Sequence, residues 1–157
     1  MKVLLLVVGK TTTGYVRQGI EDYVSRLGHY VKFELRALDD VRGTRGMTAA
    51  QQCAAEGRSI VACLERSDHV VLLDEYGRQP TSMEMAGWLQ RRMASGVKRV
   101  VFIVGGPYGF SDEVRGRANE QISLSRMTFP HELVRLIFVE QLYRAFTILH
   151  HEKYHNN

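Results

Sequence analysis

Three stretches of this chain are apolar at every position: residues 3–8 of "MKVLLLVVGK", 70–73 of "DHVVLLDEYG" and 100–104 of "VVFIVGGPYG". A strand with one face in water alternates apolar and polar residues. A strand that is apolar throughout has both faces covered, which is the condition of a parallel sheet between two layers of helices. The segment 15–27 carries the helical period instead, with Val16, Ile20, Tyr23, Val24 and Leu27 on one stripe. Strands alternating with helices predict an α/β fold, a parallel sheet with helices on both faces. The 157 residues fit one domain, spanning 1–157, which can bury roughly two-thirds of its unfolded surface.

Local signals place the remaining elements. "YVKFELRAL" alternates, with Val31, Phe33 and Leu35 on one face of a second strand. Residues 39–47, "DDVRGTRGM", form a polar, basic loop with two glycines, the best candidate for a mobile segment. Thr48 caps a helix running to about Glu65, and Thr81 with Glu84 forms a capping box opening a helix over 82–95, stopped at Gly96. A strand over 98–104 follows, then a short helix from Ser111 to about Asn119, and "QISLS" as a short fifth strand. "RMTFP" is a turn, with Pro130 suited to the first position of a final helix over roughly 131–149. That helix carries Leu133, Ile137, Leu142, Ala145, Phe146 and Leu149, and a polar tail, "HHEKYHNN", follows it.

The net charge of +4 permits a polyanionic partner without requiring one. Cys53 and Cys63 are too far apart for a C-x-x-C pair and read as reduced, packed thiols in a reducing cytoplasm. The apolar run near the N-terminus is too short for a signal peptide or a membrane span. Two nucleotide motifs are excluded. Gly9-Lys10-Thr11 would need a glycine at position 4 for a P-loop, and Leu4 is there. "GGPYG" lacks the G-x-G-x-x-G spacing and follows the fourth strand rather than the first. What remains is a glycine pair at a strand's carboxyl end. Such a pair lets the backbone approach a flat ligand, or merely permits a tight turn. Ligands of open α/β sheets sit outside the carboxyl ends of the strands, so "LLDEYG", "IVGGPYG" and "LSRMTFP" are the three turns that could enclose one.

Taken together, "IVGGPYG", "LSRMTFPHELVR", "EQLYRAF" and a terminal "YH" resemble the RlmH family over essentially the whole chain, as do "RLG", "LLDEYG" and the basic loop. Members are SPOUT-class methyltransferases acting on N3 of a pseudouridine in 23S large-subunit ribosomal RNA. The resemblance implies a SPOUT-type fold with a C-terminal trefoil knot, and S-adenosyl-L-methionine as methyl donor. It implies a cofactor site lined by Leu73, Gly105, Leu124, Ser125, Arg126, Met127, Thr128 and Phe129. It further implies a cytoplasmic homodimer acting on the assembled 70S ribosome, with no membrane and no metal, and a tail folding over the cofactor pocket so that Tyr154 and His155 reach the substrate base.

The chemistry narrows the catalytic candidates. An imide N3–H is a poor nucleophile until its proton leaves, so a base or a cation favouring the anion helps. The carboxyl rim offers no evident pair of free carboxylates. The candidates are therefore His155 for proton removal, Tyr154 to stack on or position the base, Arg144, and His131 at the start of the final helix. Arg135 and Arg144, nine positions apart, fall on different helix faces. One could meet RNA phosphate or the anionic base while the other supports the dimer. Glu140 lies four residues before Arg144, the spacing of an ion pair. Arg42 and Arg45 of the basic loop are candidates for RNA phosphate. His150, His151 and His155 match no common zinc spacing. Two other readings are a SPOUT enzyme acting on another RNA such as tRNA, and a non-catalytic nucleotide- or RNA-binding module.

Overall fold

The computed structural model describes residues 1–156. Five strands, Lys2–Val8 (β1), Lys32–Leu38 (β2), His69–Arg78 (β3), Arg99–Val104 (β4) and Glu120–Ile122 (β5), form one parallel sheet in the order β2-β1-β4-β3-β5. Five helices interleave: Gly14–Leu27 (α1), Ala49–Ala62 (α2), Ser82–Ala94 (α3), Asp112–Arg117 (α4) and Leu133–Leu149 (α5).

The continuous apolar strands are explained by their two faces. Val3, Leu5 and Val7 of β1, with Val71, Val100, Phe102 and Val104, point into a core shared with α1, α3 and α5. Leu4, Leu6 and Val8, with Val70, Leu72, Val101 and Ile103, point the other way, onto Ile60 of α2, Phe110 and Val114 of α4. The larger core is filled by aromatic rings, Phe102 lying 4.7 Å from Phe138 and 5.8 Å from Trp88. Edge strand β2 turns Phe33 and Leu35 onto the larger core and leaves Lys32 and Glu34 exposed on its other face, which is why it alternates there.

The local stop and start signals operate as their chemistry requires. Both halves of a capping box are made at Thr48 with Gln51 and at Thr81 with Glu84, and Ser111 Oγ accepts the Val114 N–H. Gly96 takes φ +80°, the left-handed conformation that ends α3 at little steric cost. Some boundaries differ from expectation. β5 ends at Ile122 because the Ser123 N–H donates to the Arg78 carbonyl (2.7 Å) and the chain turns away. α2 ends at Ala62 and α4 at Arg117, both short of the predicted ends. α5 begins at Leu133, with Pro130 in the turn before it, the Val134 N–H donating to the Pro130 carbonyl at 3.1 Å.

Two features shape the rim that follows β3, β4 and β5. Ile122 of β5 stands opposite both Leu73 and Arg78 of β3, so residues 74–77 bulge out of the ladder. Bulges of this kind re-aim side chains next to functional clefts. In addition, α5 packs against both α1 and α3, which holds its leading residues at the same rim.

Candidate active site

The three turns converge. Leu73, Asp74, Glu75 and Tyr76 from the bulge, residues 104–110 from the glycine turn, Arg115, and Phe129, His131 and Val134 border a cleft of about 490 Å³. An adjoining recess of about 160 Å³ is bordered by Leu73, Asp74, Glu75, Ser123, Leu124, Ser125, Met127, Thr128, Phe129 and Val134. Of the predicted cofactor residues, Leu73, Gly105, Leu124, Ser125, Met127, Thr128 and Phe129 thus lie around one depression. Arg126 is exposed and borders neither part. The 123–127 turn is held by its own hydroxyls: Ser123 Oγ donates to the Ser125 carbonyl (2.9 Å), and Ser125 Oγ accepts the Met127 N–H (2.9 Å).

The space beside Gly105 is not open cleft. A Cβ there would lie 3.1 Å from the Phe110 ring and 3.3 Å from the Gly109 carbonyl, so the residue is small to let the turn close upon itself. Gly109, at φ +75°, takes the left-handed conformation that completes the turn.

The rim carries more charge than its sequence promised. Asp74 and Glu75 are adjacent carboxylates on the bulge. Asp74 is not free: Oδ2 pairs with Arg115 at 2.7 Å and Oδ1 accepts the Tyr76 N–H at 3.0 Å. Tyr76, Tyr108 and Met127 stand exposed around the opening. The string "LLDEYG" marks these residues as a strand end, but nothing in it signals that the strand resumes at Arg78 after a bulge. Arg115 was missed because a basic residue inside a short helix carries no pattern of its own.

The catalytic candidates fall in two places. His131 borders the cleft. Tyr154, His155 and Arg144 cluster instead against the other end of α5. The Tyr154 hydroxyl donates to Glu140 Oε1 (3.0 Å) and lies 3.1 Å from the Tyr23 hydroxyl, and its ring meets Tyr143 edge-on at 4.8 Å. Burial, followed by the bonds to Tyr23 and Glu140, pushes the Tyr154 phenol well above its ordinary range. The Arg144 guanidinium lies 4.8 Å from the Tyr154 ring centre, and its Nη1–H donates to His155 Nδ1 at 3.2 Å. Glu140 makes the expected i,i+4 pair with Arg144, which raises the arginine further.

Leu133 and Arg144 are separated by roughly 16 Å of helix rise. Within one chain the tail therefore packs on α1 and α5 and borders neither part of its own cleft, so the expected approach of Tyr154 and His155 to a cofactor pocket is not made within a single chain. Arg135 is a second correction. It is buried at 1% exposure, donating through Nη2 to the Val8 carbonyl (2.7 Å) and through Nη1 to the Gly9 carbonyl (2.9 Å) and Thr11. It secures the end of β1 and cannot meet RNA phosphate.

Among the described residues no group of three or more His, Cys, Asp or Glu side chains gathers into a metal-ligand set, and no helix is long and apolar enough to cross a membrane.

Residues 1–155 match the family described as "Predicted SPOUT methyltransferase". Two proteins named ribosomal RNA large subunit methyltransferase H, from Porphyromonas gingivalis and Parabacteroides distasonis, are 53% and 48% identical to this chain over 156 residues, covering 99% of each sequence. A protein of that name from Bacteroides thetaiotaomicron is 44% identical over the same 156 residues. A match of this extent, on an α/β fold whose carboxyl-rim turns enclose one cleft, places the chain in the SPOUT methyltransferase family.

Proposed function

We propose that this chain is an S-adenosyl-L-methionine-dependent methyltransferase that modifies N3 of a pseudouridine in 23S ribosomal RNA, working in the cytoplasm as a homodimer on the assembled ribosome. The observation carrying this reading is the convergence of residues 73–76, 104–110 and 123–134 on a single cleft, in a chain half identical to proteins named for large-subunit rRNA methylation.

The cleft suits the methyl donor. Its volume falls within the roughly 300–1,000 Å³ of small-molecule sites. Leu73, Phe129 and Val134 offer apolar walls to an adenine, and Ser125 and Thr128 offer hydroxyls. The Glu75 carboxylate complements a sulfonium cation and can accept ribose hydroxyls, while Asp74 is already paired with Arg115. When bound, S-adenosyl-L-methionine supplies an electrophilic methyl group. The chain's own task is to align the target nitrogen and favour its anion, and alignment of this kind supplies a large part of an enzyme's acceleration.

Arg144, His155 and Tyr154 fit the second task. An arginine can only donate, so in the Arg144–His155 contact Nδ1 is the acceptor and the neutral imidazole carries its proton on Nε2. That end of the ring donates to a carbonyl of a uracil-type base. It stabilises the N3 anion rather than taking its proton, and the Arg144 cation acts in the same sense. His155 is thus assigned as a hydrogen-bond donor to the substrate, with the proton passing to water. Tyr154 presents its ring to position the base. These groups lie far from their own cleft, so the reading requires a second copy to bring its tail there. Arg42 and Arg45 then add cationic contacts to RNA phosphates.

The decisive measurement is transfer of labelled methyl from S-adenosyl-L-methionine to intact ribosomes, free rRNA and tRNA. Label in large-subunit rRNA of intact ribosomes, located at a pseudouridine N3, is expected; label confined to tRNA redirects the substrate. The double variant Tyr154→Ala, His155→Ala is expected to bind the cofactor normally and transfer methyl at least about a hundredfold more slowly. Undiminished transfer would remove the tail from the mechanism.

A further inference from the structure

We infer that Glu56, on α2, is a positioning residue for the cofactor loop: its carboxylate accepts the Gly106 N–H and sets the orientation of the Gly105–Gly106 peptide. This rests on the reading of the cleft as the cofactor site. Glu56 Oε1 lies 2.9 Å from the Gly106 nitrogen, and a Cβ on Gly106 would stand 2.4 and 2.8 Å from the two carboxylate oxygens. A side chain at this position would push the Glu56 carboxylate out of the place from which it accepts the Gly106 N–H. A carboxylate drawn partly out of water needs a hydrogen-bond donor, and this one takes its donor from the cleft wall.

The contact belongs to a docked helix face. One turn earlier on α2, the Cys53 thiol lies 3.7 Å from the Gly109 carbonyl. One residue later, Gly57 leaves room for the Ser111 hydroxyl, which a Cβ would meet at 2.1 Å. Positions 53, 56 and 57 share a side of the helix by their i, i+3, i+4 spacing, and all three address the 106–111 turn.

The consequence follows from peptide geometry. In a trans peptide the C=O and N–H point in opposite directions. With the Gly106 N–H directed at α2, the Gly105 carbonyl points away from it, toward the face of the sheet that carries α5. His131, just ahead of α5, and Val134, in its first turn, border the cleft on that side. Glu56 thus holds a carbonyl acceptor toward the ligand. A glycine–glycine peptide has few steric barriers to rotating as a unit, so without this anchor the acceptor would be lost for part of the time.

The test is calorimetric titration of S-adenosyl-L-methionine into the wild type, Glu56→Gln and Glu56→Ala, with methyl-transfer kinetics on ribosomes. The amide oxygen of Gln still accepts the Gly106 N–H, so Glu56→Gln should stay within about threefold of wild-type affinity. Glu56→Ala should raise both Kd and KM for the cofactor about tenfold, with kcat at saturating cofactor within about twofold. A folded Glu56→Ala protein with wild-type affinity overturns the proposal, as does a Glu56→Gln protein as weak as Ala. Should Glu56→Ala not fold, hydrogen exchange on the unaltered protein decides: a protected Gly106 amide supports the anchor, and a freely exchanging one overturns it. A wild type that binds no S-adenosyl-L-methionine overturns the cofactor site itself, which distinguishes that failure from one confined to Glu56.

Discussion

Glu132 joins two parts of the chain that are 120 residues apart. Its carboxylate accepts the Thr12 N–H (2.8 Å), the Thr12 hydroxyl (2.8 Å) and the Thr13 N–H (2.9 Å), at the point where α1 begins. α1 has no acidic residue in its own first turn, so Glu132 supplies the negative charge that the helix dipole favours there. Those donors, the Thr13 amide foremost, hold the Glu132 pKa at about 2, against an ordinary 4.5. A depressed carboxylate contributes stability that is fully present above its unfolded pKa and is lost as pH falls toward the folded one. The wild type should therefore lose more stability than Glu132→Gln between about pH 4.5 and 2, since the amide does not titrate. Chemical denaturation across that range reads the difference, and parallel curves would show that the contact contributes nothing. This residue also marks what the sequence conceals. Thr81 and Glu84 are legible as a capping box because the partners are three positions apart. Glu132 and Arg135 have partners near the end of β1, and no spacing rule connects residues separated by more than a hundred positions.

The bulge in β3 governs the cleft because it projects Asp74, Glu75 and Tyr76 between the other two turns. Gly77 makes it possible. A Cβ at this position would lie 2.7 Å from backbone atoms of Gln121 and Ile122, which cannot rotate aside as a side chain can. Gly77→Ala is expected to push β5 off β3, destabilising the protein by about 1–3 kcal/mol by overpacking. Because Ser123 to Phe129 follow β5 directly, cofactor affinity should fall with it, beyond what the folded fraction explains. Urea unfolding and calorimetry on the same sample test both effects, and a variant neutral in both would show the strand pair to be compliant. Element types were legible here because burial on two faces writes itself as unbroken apolarity, and capping chemistry is local. The bulge was not, because "LLDEYG" followed by Arg78 reads the same whether or not each residue has a cross-strand partner. The start of α5 was misplaced by two residues for a similar reason: Pro130 is acceptable at a first helical position, but the chain makes a turn through Glu132 first.

Two copies are needed if the tail is to act. It is held firmly on its own chain: Tyr154 bonds Glu140 and Tyr23, and the Tyr30 hydroxyl donates to Glu152 at 2.6 Å, a bond that pushes the Tyr30 pKa up to about 12. A tail fixed in this way serves as a rigid surface for a neighbour, and in a two-fold dimer each tail would face the other copy's cleft. Subunit mixing tests this directly. One chain carries Tyr154→Ala and His155→Ala; the other carries Thr128→Arg, which fills the recess with a cationic side chain. Each alone is expected to be inactive. Mixed equally with free exchange, about half the dimers contain one of each, and each such dimer rebuilds one of its two sites, the intact cleft meeting the intact tail. Activity should therefore recover to about a quarter of the wild type. A tail acting on its own cleft would leave every site with one defect and the mixture inactive. An inactive mixture, with exchange verified by differently tagged chains, would contradict the shared site.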